Sequence, residues 1–318
     1  MVKSVKTCKT SKKTATGHDL AYHSPMKSLD VNRTVSPRDM ASAIGMSESS
    51  LKRWADNGLL NFTRTGGGHR RIRIHEAIRF IRERSIPIQS PAAIGLPSDF
   101  ATADADLANN ESLLALFQRG ASEEAESFLM ARYLGGASIA QIGDDDIRPV
   151  LEALGHVPHT SEGILREHCA TQVCLQVIER MRVLARGAEP RFQALGGAIG
   201  GDVYMLPTLL VSGVIEEMGG RAVNLGANTP TDSIRWDLSN RSPDSMPDLV
   251  WVSVSHFVDE NEQVDDLLRL GKDCLESGIA FFVGGRALTG SVVDRFTGFE
   301  VHSSLQSISA CLASADLG

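Results

Sequence analysis

Residues 36–72 read SPRDMASAIGMSESSLKRWADNGLLNFTRTGGGHRRI, and this stretch decides how the rest of the chain is read. Ser36 can cap a helix that carries Pro37 in its first position, where the missing N–H costs nothing. Met40, Ala41 and Ile44 give that helix one apolar face, and Gly45 stands where it must end. Ser47 can cap a second helix with Leu51 and Trp54 inward at i, i+3, while Lys52 and Arg53 point elsewhere. Ser50 falls at the third place after that cap, where a capping box prefers Glu or Gln. Two short helices about a glycine turn predict a helix-turn-helix. Its second helix would lie in a DNA major groove, with Ser49, Ser50, Lys52 and Arg53 near bases and phosphates.

Residues 62–72 then predict a short strand, a turn through Gly66, Gly67 and Gly68, and a second strand bearing His69, Arg70 and Arg71. With Arg64 these cations would set a strand-turn-strand wing against the phosphate backbone. Residues 73–84 return as a helix with Ile74, Ala77, Ile78 and Ile81 inward. In this order and spacing, residues 34–85 resemble the winged helix-turn-helix of MerR-type transcription regulators. The resemblance implies double-stranded DNA as partner. One head reads only a half-site, so a homo-oligomer on a palindromic site is expected.

The charge is distributed accordingly. The 318 residues carry a net charge of -7, but residues 1–90 hold 17 Lys and Arg against 7 Asp and Glu, and the remainder 15 against 32. A basic head on an acidic body suits DNA binding by one end. The five cysteines (Cys8, Cys169, Cys174, Cys274, Cys311) show no C-x-x-C spacing, which predicts reduced thiols in a cytoplasm and no zinc site. No apolar run reaches membrane-spanning length, and the basic N-terminus lacks the apolar core of a signal peptide.

Outward from the head, residues 1–33 are rich in Lys, Ser and Thr and predict a disordered basic tail. Residues 86–105, with Pro87, Pro91, Gly95 and Pro97, predict a linker. Residues 106–188 keep a helical period through four segments and predict a four-helix bundle. Residues 189–318 change period: apolar runs at 194–199, 222–225, 249–254, 280–283 and 298–301 alternate with helices. That pattern predicts an α/β, flavodoxin-like domain with a parallel five-stranded sheet, whose ligands bind at the carboxyl ends of the strands.

A MerR-type head, a helical bundle and a five-stranded α/β domain, in that order, resemble cobalamin-dependent regulators over about residues 110–315. LREHCATQ places Glu167 and His168 where that family holds a Glu-His pair over the upper face of the corrin. VNLGANTP (residues 223–230) is similar to the family's second strand and its Leu-Gly-x-x-x-Pro turn. Ser253, Ser255, Gly284 and Gly285 fall where the family surrounds the nucleotide tail. The lower ligand departs from the pattern. In the loop that carries the family's Asp/Glu-x-His-x-x-Gly, Asp202 keeps the acid, Tyr204 replaces the histidine and Pro207 replaces the glycine. A phenol with a pKa near 10 is a poor cobalt ligand beside an imidazole. The family's upper tryptophan has no counterpart either. Two outcomes stay open for the cofactor: cobalamin held by pocket shape without a ligand from this loop, or a pocket that senses something else or nothing. No metal site is expected; His168 could reach cobalt from the upper face, and His156 and His159 read as exposed loop histidines.

The function expected is DNA-binding transcriptional regulation, with the α/β half sensing a ligand or mediating oligomerisation, and no enzymatic activity. The alternatives are a cobalamin-binding accessory protein of a methyltransferase or mutase system, and a scaffold module without ligand.

Overall fold

The computed structural model describes residues 33–100, 112–156, 160–187, 189–315 and 317. The expected basic tail, apart from Arg33, lies outside the described residues, as do residues 101–105 and His159.

The chain enters through strand β1 (Thr34–Val35), helix α1 (Pro37–Ala43) and helix α2 (Glu48–Asp56). Ser36 caps α1 by accepting from the Asp39 N–H, and the Asp39 carboxylate accepts back from Ser36, a reciprocal box. Ser47 caps α2 by accepting from the Ser50 N–H. Hairpin strands β2 (Thr63–Arg64) and β3 (Arg70–Arg73) follow, with Thr63 opposite Arg71 and Arg64 opposite Arg70. Helix α3 (Ile74–Glu83) closes this part. Strand β1 pairs antiparallel with the other edge of β3, giving a small sheet of order β1-β3-β2.

Residues 86–100 differ from the spacer expected of them. Pro91–Ile94 and Ser98–Phe100 form short 3-10 turns, and Ile88, Pro91, Ile94, Leu96 and Phe100 are buried. The Gln89 and Ser90 N–H groups both donate to the Ala43 carbonyl, at 2.8 and 3.1 Å. The prolines stop helix α3, as expected. The apolar residues between them then bury against α1 and the helices that follow, and burial outweighs chain flexibility.

The helical part comprises α4 (Leu113–Gln118), α5 (Ser122–Leu134), α6 (Ile139–Gln141), a π-helical turn (Ile142–Ile147), α7 (Arg148–Gly155) and α8 (Ser161–Ala185). The π turn runs through Gly143, where a Cβ would run into Leu305 and Leu210. In the α/β part follow β4 (Phe192–Ala198), α9 (Met205–Glu217), β5 (Gly220–Asn224), α10 (Thr231–Ser239), β6 (Leu249–Ser253), α11 (Glu260–Glu276), β7 (Ala280–Gly284), α12 (Ser291–Asp294), β8 (Glu300–His302) and α13 (Leu305–Ser314). All neighbouring strands pair in parallel in the order β5-β4-β6-β7-β8. This is the doubly wound flavodoxin-like order, and its crossovers leave the strands' carboxyl ends as the ligand-facing crest. The apolar core runs from the head through the helical part to one face of the sheet; a second core fills the other face beneath α10 and α11.

Helix α9 lies at the centre, buried from Thr208 to Glu216. It starts at the crest, directly after the β4 loop. Arg182 of α8 packs on Gly213, and both Arg182 and Arg186 reach Glu216, so α8 and α9 run in the same direction. The N-terminal turns of α8 therefore extend past the start of α9, towards the crest. Among the described residues no helix is long and apolar enough to cross a membrane.

Candidate functional sites at the hairpin and the sheet crest

The β2–β3 hairpin and α2 put their cations into solvent. Lys52, Arg53, Arg64 and His69 are exposed and Arg71 is half-buried; among the described residues Lys52, Arg53, Arg64 and Arg71 have no acidic partner. Arg70 differs: its Nη2 lies 3.5 Å from Asp56 Oδ1, and its guanidinium stands 5.6 Å from the Phe62 ring centre. Ser49 is exposed and Ser50 partly so, but Ser47 Oγ lies 2.7 Å from Ser49 Oγ and 3.0 Å from Ser50 Oγ, so both hydroxyls sit in the cap cluster. Trp54 sets the angle of α2 by packing on Phe80 of α3, centroids 5.0 Å apart.

Besides the shared apolar core, Arg82 makes a polar tie between the head and the body. Arg82 of α3 donates to the carbonyls of Tyr133 and Ala137, each at 2.8 Å, and to Glu217 Oε1 at 2.6 Å, with its guanidinium 3.7 Å from the Tyr133 ring centre. Glu217 also accepts from the Ile139 N–H at 2.8 Å. Both side chains are largely buried, so this contact is better than a surface ion pair.

At the crest, the β4 loop is built around Asp202, which is fully buried. Its Oδ2 accepts from the Ser255 N–H at 2.6 Å and its Oδ1 from the Tyr204 N–H at 3.0 Å, joining the ends of β4 and β6. Asn228, in the left-handed region at φ 53°, accepts from the Gly201 N–H at 2.7 Å and donates its own N–H to the Asp202 carbonyl at 2.7 Å. Gln263 of α11 donates to the Gly200 carbonyl at 2.6 Å. Gly201 needs its positive φ of 82° to make this turn, and a Cβ there would strike Val258. The loop is thus held on every side by its own hydrogen bonds.

What the crest offers outward is apolar. Val203 and Val258 are more than two-thirds exposed, and Tyr204, Met205 and Leu225 are exposed beside them. Met205 lies against residues 226 and 227, and Arg286 lies over Tyr204, 4.7 Å from the ring centre. From the α8 overhang come exposed Ile164, Leu165 and His168, with Glu167 half-buried. Ser253 and Ser255 are buried at the end of β6. A Cβ on Gly284 would meet the His302 carbonyl, and one on Gly285 the Val254 backbone, so both glycines serve close strand packing. Beneath the crest runs a buried polar chain: Trp251 Nε1 donates to Thr208 Oγ1 at 3.0 Å, and Thr208 donates to Asn224 Oδ1 at 3.1 Å. These residues fit a flat, largely apolar ligand, and cobalamin is compatible with them. No imidazole stands in the 202–207 loop, so Tyr204 gives cobalt only a phenol.

Sequence reasoning missed Asn228, Gln263, Arg286 and the Arg82–Glu217 pair. Asn in a Gly-x-Asn-x-Pro turn was a usable signal for the first, since Asn tolerates the left-handed region. The buried thiols are no nucleophiles: burial pushes Cys174 and Cys274 up to about 12.

No family model matches the sequence, and no curated protein does. Solved structures similar to the chain include the monomethylamine corrinoid protein of Methanosarcina barkeri, at 13% identity over 64% of this chain and 96% of that one, with a TM-score of 0.49. A cobalamin-binding protein from Desulfitobacterium hafniense DCB-2 aligns at 15% identity over 68% and 95%, with a TM-score of 0.36. The methanol:cobalamin methyltransferase complex MtaBC of Methanosarcina barkeri aligns at 14% identity over 85% and 94%, with a TM-score of 0.35. The flavodoxin-like description of the sheet rests on its own strand order.

Proposed function

We propose that the chain is a DNA-binding transcriptional regulator whose α/β crest takes a flat, largely apolar ligand, with a corrinoid as the leading candidate. The observation that carries this is the set of cations on α2 and the β2–β3 hairpin, Lys52, Arg53, Arg64 and Arg71, that have no acidic partner among the described residues, on the basic end of an acidic chain. Such cations release counterions when they meet phosphates, which supplies sequence-independent affinity. In the winged helix-turn-helix arrangement α2 enters the major groove and the hairpin lies along the backbone. Two copies would read a palindromic site.

At the crest, Val203, Tyr204, Met205, Leu225 and Val258 would seat the ligand, and Glu167 and His168 on α8 would face it from above. A bound corrinoid would supply organometallic chemistry at its cobalt. The chain's own part is to hold the crest rigid through Asp202 and to cover it with α8. The same crest would serve a cobalamin-binding accessory protein of a methyltransferase or mutase system, which has no use for the unpaired cations of the hairpin.

Duplex binding by the parent and by the Arg64→Ala, Arg71→Ala double variant, measured across a salt series, decides between them. A regulator binds any duplex with a steep salt slope, and the double variant lowers that slope by about two, one per lost phosphate contact. A parent that leaves duplex DNA unbound at low salt overturns the assignment and leaves the accessory role. Absorbance after incubation with adenosylcobalamin tests the ligand separately.

A further inference from the structure

Outside the crest and the hairpin, a cluster of metal-ligating side chains lies, among the described residues, at the far edge of the sheet. Glu300 and His302 stand two residues apart on β8, so they share a face of that strand, and α13 brings Cys311 over them. One ligand atom from each of the three lies within 4.8 Å of the others.

The hydrogen bonds of His302 say which nitrogen is available. Its Nδ1 lies 3.2 Å from Ser307 Oγ. The Ser307 hydroxyl donates its own hydrogen to the Ser304 carbonyl at 2.7 Å, so it meets His302 as an acceptor, and Nδ1 carries the proton. That tautomer leaves the Nε2 lone pair, on a buried residue only 6% exposed, and among the described residues this atom has no hydrogen-bond partner. Buried polar atoms without partners are rare in native proteins, and an ion is one of the few things that accounts for them. An imidazole whose other nitrogen is fixed by a hydrogen bond is also the arrangement that metal-ligating histidines show.

We propose that Glu300, His302 and Cys311 bind a divalent metal ion of the zinc class, pinning α13 to the edge strand β8. Carboxylate, imidazole and thiolate are all zinc donors, and three protein ligands leave a fourth position to water. A tetrahedral zinc brings its ligand atoms to roughly 3.3–3.8 Å of one another. The three donors lie within 4.8 Å of one another, so an ion would draw them closer, with Glu300 the exposed member of the set. In such a site His302 would bind as the neutral imidazole and Cys311 as its thiolate. On binding, the S–H bond breaks, the proton goes to solvent and the sulfur lone pair forms the metal bond. With one thiolate and one carboxylate, a divalent ion makes the site neutral, which suits its partial burial. Phe282, whose ring meets His302 at 4.5 Å, walls one side of the imidazole.

The test uses the full chain, reduced and stripped with a chelator, and titrated with Co²⁺ as an optical probe and Zn²⁺ as competitor. The parent should take up one equivalent of Co²⁺, with a thiolate-to-cobalt absorption band that Zn²⁺ removes. Cys311→Ser should lose that band, and Cys169→Ser should keep it. Glu300→Gln, at an exposed position that leaves folding intact, should weaken Zn²⁺ binding, and Ser307→Ala, which frees the imidazole, should weaken it about 10–100-fold. Circular dichroism melting of each variant shows that the fold survives. A parent without cobalt uptake at micromolar protein overturns the proposal, and so does a band that persists in Cys311→Ser, since the thiolate then belongs to another cysteine. Neither outcome depends on DNA or corrinoid binding.

Discussion

The hairpin and the crest are both strand-end loops with glycines, yet their polar groups are used in opposite ways. Around the hairpin, Lys52, Arg53, Arg64 and Arg71 have no acidic partner among the described residues, so their donors are open to something outside the chain. At the crest the buried acid, Asp202, is wholly engaged by Tyr204 and Ser255, and what faces outward is mainly apolar. The first surface suits a large charged partner met in water. The second suits a ligand that gains by leaving water, on a frame that does not have to reorganise to receive it.

That contrast can be broken by cutting the internal partner at the crest. Asp202→Ala orphans two N–H donors, one of them on buried Ser255, and should cost about 3–6 kcal/mol at about 1.5–3 per charged hydrogen bond. Urea denaturation reads this, and a loss under about 1 kcal/mol would mean the loop is not held by Asp202. Arg82→Ala comes next, at about 3 kcal/mol, because it removes the bonds to Tyr133, Ala137 and Glu217 together. Its thermal unfolding should stay a single transition at a lower midpoint, because the apolar core still joins α3 to the body. On the hairpin, stability should hardly change and duplex affinity should. Arg71→Ala should weaken binding more than Arg70→Ala, since Arg70 already has Asp56 and Phe62; filter binding at two salt concentrations ranks them, and the reverse order would refute the idea that unpaired cations carry the affinity. The smallest effect on folding belongs to Tyr204→His, within about 0.5 kcal/mol at an exposed position. Its value is spectroscopic: with adenosylcobalamin an imidazole-ligated spectrum should appear in the variant and not in the parent. A parent that shows it already has its imidazole from elsewhere, with His168 the first residue to replace.

Much of this architecture was legible from the residues. The buried parallel strands read as apolar runs because both faces are covered, and their limits came within two residues or so. Ser36 and Ser47 announced their helices through capping chemistry that is local in sequence. The failures share a cause, since they depend on contacts across the chain. Residues 86–100 looked like a spacer because prolines are visible in sequence and the pocket that receives Ile88, Ile94 and Phe100 is not. Strand β1 is two residues long and exists only through its pairing with Arg73 and Ile72. Thr208, Ser212 and Glu216 look misplaced in an apolar helix until Asn224, Trp251, Arg182 and Arg186 are brought against them. Glu300, His302 and Cys311 follow no motif spacing, and only the fold of α13 over β8 gathers them.

Helix α9 has no solvent side along its middle turns, and this limits what mutation can do to it. On a surface helix an inserted or deleted residue is absorbed by rotating the polar face outward. Each residue turns an α-helix by about 100°. A single deletion between Thr208 and Glu216 would therefore put the two halves of the helix out of register: if Thr208 kept Trp251, buried Glu216 would swing away from Arg182 and Arg186, and Glu217 from Arg82. Length change in α9 thus disrupts the fold in a way that most side-chain changes do not, and this segment should keep its register.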